Sequence, residues 1–314
     1  HQGIEAYRKL LERQPSHSQS VDALMVIVGE RDEREAAFEV LRPVLRAQEA
    51  FEELWAQYQI IVTHQEDDPY KEVATLHEMA KLAERDLSDA DRAFDALSRA
   101  FHRDLRNEDT VAQLERLVAS HTLWEPLVVL YLDGAENADD DYLGLGFRLK
   151  AGAMLMDEVG DVERAIEVYV AAYEIDADNK EVLERLHGLY RLSERYEKLL
   201  PILRNQADVH VEPVEKIGFL LQVAEVAEHG LGQIETAYEA LLEILDLDEQ
   251  HDGAIEELQR LCEADVHRLE IAERLERIYQ GREAWEQLSG LLELKLQALD
   301  DPMDKIQSMQ QLAD

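Results

Sequence analysis

The residues of this 314-residue chain that could do chemistry are eleven histidines, one cysteine and a large excess of carboxylates. A helical zinc site needs two imidazoles on one face, hence two His about four residues apart. His77, His187 and His229 have no such partner and fall in three different hairpins of the pattern below. Glu66-Asp67-Asp68 and Asp139-Asp140-Asp141 offer oxygen ligands, but a calcium loop alternates its ligands around a central glycine. Both runs stand between expected helices, where carboxylates favour the next helix N-terminus. Cys262 occupies an apolar repeat position and is expected as a buried thiol. The patterns GxSxG, HExxH, GxxxxGK[ST] and GxGxxG are absent, and Gly144-Leu145-Gly146 is expected to make a turn at a helix start. No catalysis, cofactor or metal is expected of these residues.

Composition narrows the partners. With 69 acidic against 32 basic side chains, the net charge is −37. Such a surface repels nucleic acid and anionic lipid and attracts basic segments. No apolar run reaches the 18 residues of a membrane span, so no direct membrane insertion is expected. One cysteine rules out an internal disulfide framework and leaves the compartment open, with cytoplasm favoured over periplasm.

What positions these residues is a repeat. The stretch Asp161 to Asp178 recurs in altered spelling, with copies aligned on Gly3, Ala93, Ala165 and Ala237. The last three lie 72 residues apart, and the first precedes the second by 90. Each copy has Tyr or Leu four residues later and a polar, helix-ending cluster about twelve later. A preceding helix keeps the same register in Val73, Leu145, Ile217 and Ile306, and again in Ala80, Gly152, Ala224 and Ala313; Leu76, Arg148, Leu220 and Met309 lie between. Spacings of three and four put these on one helix face. That helix is expected to close at Leu87, Val159 and Leu231.

A second hairpin follows in each unit. Asn107, Asn179, His17 and His251 stand where a helix N-cap is needed. The next helix opens with Phe51, Trp124, Tyr196 or Trp285, a column expected to form a buried aromatic wedge. From the reference residue to this aromatic the first and last units span 48 residues, against 31 in the middle two. The surplus 17 predict one extra helix, around Glu33 to Arg46 and around Val266 to Gln280.

Gly146 to Asn179 resembles the 34-residue pattern of the tetratricopeptide repeat (TPR). Ala165, Tyr169 and Ala172 match its small, aromatic and small positions, and Gly160-Asp161 its inter-helix turn. Asp176 to Asn179 is similar to its closing turn, with Ala177 in place of the usual proline that Pro15 keeps. The next 34 residues keep the spacing, but Leu199 and Gln206 replace the two small residues. The resemblance implies an all-α, right-handed solenoid of about 18 antiparallel helices, with one extra helix in the first and last units. Residues 1–314 would form a single array, in units 3–92, 93–164, 165–236 and 237–314. Both ends fall partway through a helix, which reads as a segment of a longer array.

The resemblance also implies a concave groove lined by the first helix of each hairpin. Lys150, Met154 and Asp157 would line it in one hairpin and Glu181, Glu184, Gly188 and Arg191 in the next. Gln222, Glu225 and His229 would follow. This lining is polar with an acidic excess. Asn179, Lys180, Arg191 and Lys198 do not reproduce the spacing of the family's carboxylate clamp. The expected function is a non-catalytic scaffold binding a protein or peptide, of basic or amphipathic helical character. A structural spacer or self-assembling array, and an accessory segment of a larger enzyme, stay open as alternatives.

Overall fold

The computed structural model describes residues 2–30, 33–299 and 305. Among these there are seventeen α-helices and no strand. They are α1 (Gln2–Arg13), α2 (Ser18–Glu30), α3 (Arg34–Ala47), α4 (Phe51–Val62), α5 (Pro69–Arg85) and α6 (Ala90–Arg103). α7 (Glu108–His121), α8 (Trp124–Asn137), α9 (Asp141–Met154), α10 (Val162–Ile175), α11 (Lys180–Leu192) and α12 (Tyr196–Val209) follow. α13 (Pro213–Glu225), α14 (Ile234–Leu247), α15 (Asp252–Glu263), α16 (Arg268–Gly281) and α17 (Trp285–Ala298) complete them. An eighteenth helix carrying Ile306, Met309 and Ala313 would lie outside the described residues. The chain divides into two compact units, His1–Val168 and Tyr169–Asp314. Within His1–Val168 the helices α1 to α9 pack consecutively through short turns, as do α11 to α17 within Tyr169–Asp314. The two inserted helices are present as α3, lying against α1, α2 and α4, and as α16, between α15 and α17.

The turns explain why the helices stop where they do. Ser88, Gly160 and Gly232 are left-handed, with φ of 54°, 77° and 67°. The residue after each reaches six back: Asp89 N–H to Ala83 O at 2.8 Å, Asp161 to Leu155 at 2.8 Å, Gln233 to Ala227 at 2.7 Å. This closure satisfies carbonyls that the helix end would otherwise leave unpaired. A second column does the same for the other turn. Glu49, Thr122, Glu194 and Glu283 are left-handed, and the residue after each bonds five back. At the opposite ends sit the expected caps. Asn107 accepts from Thr110 N–H, Asn179 from Glu181 and Val182, His17 from Ser20 and His251 from Ala254. Asp68 and Asp140, from the two acidic runs, cap α5 and α9. α9 and α13 each run on into a π-helical turn, Leu155–Val159 and Val226–Gly230, which takes up one residue more than an α-turn would hold.

The repeat columns are the core. Ala93, Ala165 and Ala237 are enclosed, as are Leu97, Tyr169 and Leu241 four residues on. Cys262 is fully buried, and burial pushes its thiol up. Two sequence expectations need correction. The aromatic column is not a buried wedge: Phe51, Trp124 and Tyr196 are half-buried and Trp285 is 63% exposed. Each is the first residue of its helix, so its ring sits at the hairpin end; Tyr196, for instance, covers Gly230. The buried aromatics of His1–Val168 come from other positions. Phe101 meets Phe147 at 5.0 Å edge-on, and Phe147 stacks on Tyr131 at 5.6 Å. Nor does Gly144 make a turn. It lies in the first turn of α9, where a Cβ would stand 2.9 Å from the Ala135 carbonyl of α8, so its small size permits close helix packing.

A Cβ at Gly134 would lie 2.6 Å from the Phe101 ring. Gly134→Ala is therefore expected to lower stability by about 1–3 kcal/mol, because an enclosed ring must shift; chemical denaturation checks this. Trp285→Ala is expected to change stability by no more than about 0.5 kcal/mol, as at other exposed sites. A loss near the roughly 3 kcal/mol of a core Trp truncation would restore the wedge.

Candidate interaction face

In His1–Val168 the first helices of successive hairpins, α5, α7 and α9, lie side by side and are tied by charge. Arg116 of α7 grips Glu84 of α5 through two bonds of 2.7 and 2.6 Å, which holds that carboxyl below its ordinary range. Lys150 of α9 reaches Glu115 of α7 at 2.7 Å, and Tyr131 donates to the same carboxylate at 2.9 Å. Lys150 thus serves as a tie between helices. Met154 is half-buried at the end of α9, and Asp157 is exposed in the π-helical turn that follows. His77 is a buried polar contact. Its Nε2 lies 2.8 Å from Thr110 Oγ1, whose hydroxyl donates to Asn107, so the Nε2–H tautomer fits. Burial pushes its pKa down.

In Tyr169–Asp314 the remaining expected residues fall on α11, α13 and the π-helical turn after α13. Glu181, Glu184, Gly188 and Arg191 are all exposed on α11, and Glu225 and His229 are exposed beyond them. Arg191 donates to Gln222 at 2.9 Å and pairs with Glu225 at 3.5 Å, so three of these residues form one bridge. Glu184, Gly188 and Arg191 also line a cavity of about 810 Å³ between α11, α12 and α13. Glu181, Glu225 and His229 are not among its lining residues.

The groove expected from the sequence missed six of the nine residues of that lining. Phe219 and His210 face each other at 4.8 Å between ring centroids, and His210 Nδ1 bonds the Gln206 carbonyl at 2.6 Å. His187 is half-buried against Gln206 and Gln222, and desolvation lowers its pKa. Leu192, at the end of α11, is 72% exposed. Val211 and Val214, in and after the α12–α13 turn, are also exposed. The wall is therefore apolar and imidazole-rich, with Lys180, Glu184 and Arg191 around it. Leu192, which breaks the apolar period at the end of α11, was the one signal available in the sequence.

Among the described residues, no three His, Cys, Asp or Glu side chains are grouped to hold a metal ion. No described helix is long and apolar enough to cross a membrane.

The hairpin register, turn closures and small-residue columns give the chain a TPR-like helical-repeat fold. No protein-family model and no curated protein matches the sequence. Solved structures similar to it include the C-terminal part of a TPR repeat-containing protein from Cytophaga hutchinsonii, at 12% identity and TM-score 0.33, covering 80% of this chain and 98% of that one. The P58(IPK) TPR domain is 15% identical, with TM-score 0.26 and coverage of 99% and 96%. A structure of Naa15/Naa10 bound to HypK-THB is 14% identical, with TM-score 0.36, covering 99% of this chain and 51% of that one.

One charged knot yields a pH prediction. His267, at the start of the inserted helix α16, stacks on Tyr238 of α14 at 4.3 Å. Its Nε2 lies 2.6 Å from Glu235 and its Nδ1 3.0 Å from Glu270. Tyr238 also donates to Glu270, and the two carboxylates hold the imidazole above its ordinary value of 6.5. A raised histidine stabilises the fold fully below the unfolded value, and this is lost as pH rises through the folded one. Thermal melts of wild type should therefore fall relative to His267→Gln as pH is raised from 6.5; parallel curves would refute the tie.

Proposed function

We propose that the chain is a non-catalytic protein-interaction scaffold, and that the cavity between α11, α12 and α13 seats an apolar side chain of a protein partner. The observation that carries this reading is Leu192, a large aliphatic residue 72% exposed at a cavity of about 810 Å³ also walled by Phe219. Leaving such a side chain in water forgoes about 1.5–3 kcal/mol of burial that a partner would recover. The surroundings favour an amphipathic helical segment with basic flanks. Glu181 and Glu184 are exposed along α11, and the net charge of −37 speeds encounter with cations at low salt. Lys180, Arg191 and the two imidazoles at the wall fit polar backbone ends or an occasional carboxylate of the same segment. The acidic groove expected from the sequence thus becomes, in this proposal, an apolar seat with acidic surroundings.

The test uses a fluorescent amphipathic helical peptide with Leu on one face and Lys or Arg on the flanks. Leu192→Asp should weaken its binding about tenfold or more, equivalent to roughly 1.4 kcal/mol, while the melting temperature stays put because Leu192 is exposed. Unchanged affinity in Leu192→Asp and in Phe219→Ala would remove the cavity from the proposal.

A further inference from the structure

The unit His1–Val168 carries a second feature that its own packing does not use. Tyr70 and Tyr142 are the second residues of α5 and α9, 72 residues apart, and they are 85% and 76% exposed. Three residues further along the same helices, Val73 and Leu145 hold equivalent core positions and are buried. The repeat thus keeps a large aromatic residue where the fold gains nothing from it. Val214, second residue of α13, occupies the same register in Tyr169–Asp314 and is 83% exposed. Single exposed apolar residues need no explanation, but recurrence at one repeat position does.

The residues beside the tyrosines indicate what would cover them. Glu66 and Asp67 precede Tyr70, and both are exposed. Asp139 and Asp141 flank Tyr142, also exposed, with Arg106 drawn to Asp139 at 3.0 Å. On α7, the first helix between them, the matching second position is the exposed Asp109. α5, α7 and α9 are joined side by side by the Glu84–Arg116 and Glu115–Lys150 pairs. Asp109 lies 3.5 Å from His77, about two turns along α5 from Tyr70, so it is set back between the two tyrosines at the edge formed by the N-terminal ends of α5 and α9. A second copy of the chain is a poor occupant, because each copy carries −37.

We infer that this edge docks a basic, extended protein segment, with two apolar anchors against Tyr70 and Tyr142 and Lys or Arg between them. α5, α7 and α9 meet through the long side chains of these ion pairs, so two steps of about 10 Å place the tyrosines on the order of 20 Å apart. An extended chain covers that in about six residues, which sets the anchor spacing. Charge on this edge would steer the segment, and the aromatic rings would select it. This surface lies wholly within His1–Val168 and is independent of the cavity proposed above.

Anisotropy of a labelled extended peptide tests it with the full chain. The peptide carries two Leu six residues apart with Lys and Arg between, and a control replaces both Leu by Ser. The Leu peptide should bind at least tenfold more tightly than the control, and Tyr70→Ser with Tyr142→Ser should erase that difference without moving the melting temperature. Equal binding of the two peptides, or full binding by the double variant, would overturn the proposal by leaving charge alone. A dimer in sedimentation that the double variant abolishes would also overturn it, making the occupant a second copy. Leu192→Asp should leave this peptide's affinity unchanged. If it abolished binding where the tyrosine variants did not, this edge would fail and the cavity proposal would stand.

Discussion

The hairpin turns at Glu49, Ser88, Thr122, Gly160, Glu194, Gly232 and Glu283 depend on a backbone N–H that reaches back five or six residues across a left-handed residue. Glycine takes that conformation freely, yet only two of the three turns that close six back use it; Ser88 fills the third. At the turns that close five back it falls to Glu49, Thr122, Glu194 and Glu283. A non-glycine residue there gives up about 1–2 kcal/mol, and the β-branched Thr122 is the least suited of them. The closure persists because it fixes where the next helix begins, and the buried columns of that helix repay the strain many times over. Small residues at Ala93, Ala165 and Ala237 then let the paired helices approach.

The charges work within that frame. Glu84 with Arg116, and Arg191 with Gln222 and Glu225, join neighbouring first helices about 31 to 34 residues apart in sequence. Exposed pairs of this kind contribute only about 0.2–1 kcal/mol each. Their larger effect is to occupy most of the sparse basic residues. Several side chains expected to meet a partner, Lys150 and Arg191 among them, are engaged in this way, while the acidic surplus faces solvent.

The parts of the fold legible in the sequence were those set by local rules. The caps at Asn107, Asn179, His17 and His251 obey hydrogen-bond geometry within three residues, and the inserted helices announced themselves as a surplus of 17 in an otherwise constant spacing. What failed depended on neighbours distant in sequence. A first-turn aromatic such as Trp285 looks like core in one dimension, because the period says which face it shares but not whether that face is covered. Gly144 looked like punctuation because the Ala135 carbonyl that demands its small size belongs to another helix. The cavity wall needed α12 and α13 brought to α11, and His187, His210 and Phe219 share no period that would have linked them.

The inserted helix α3 has a consequence for chain polarity. α1 and α3 end side by side, where Gln48 bonds the Pro15 carbonyl, and α3 and α5 start side by side, where Lys71 pairs with Glu35, so α1 runs with α5 and against its repeat counterpart α6. The same short text is therefore written in opposite directions on either side of α3. Residues that occupy matching positions in the two copies lie toward opposite rims, and the N-cap that opens α2 at His17 sits at the other rim from the one that opens α7 at Asn107. A change tolerated at one copy has no reason to be tolerated at the other.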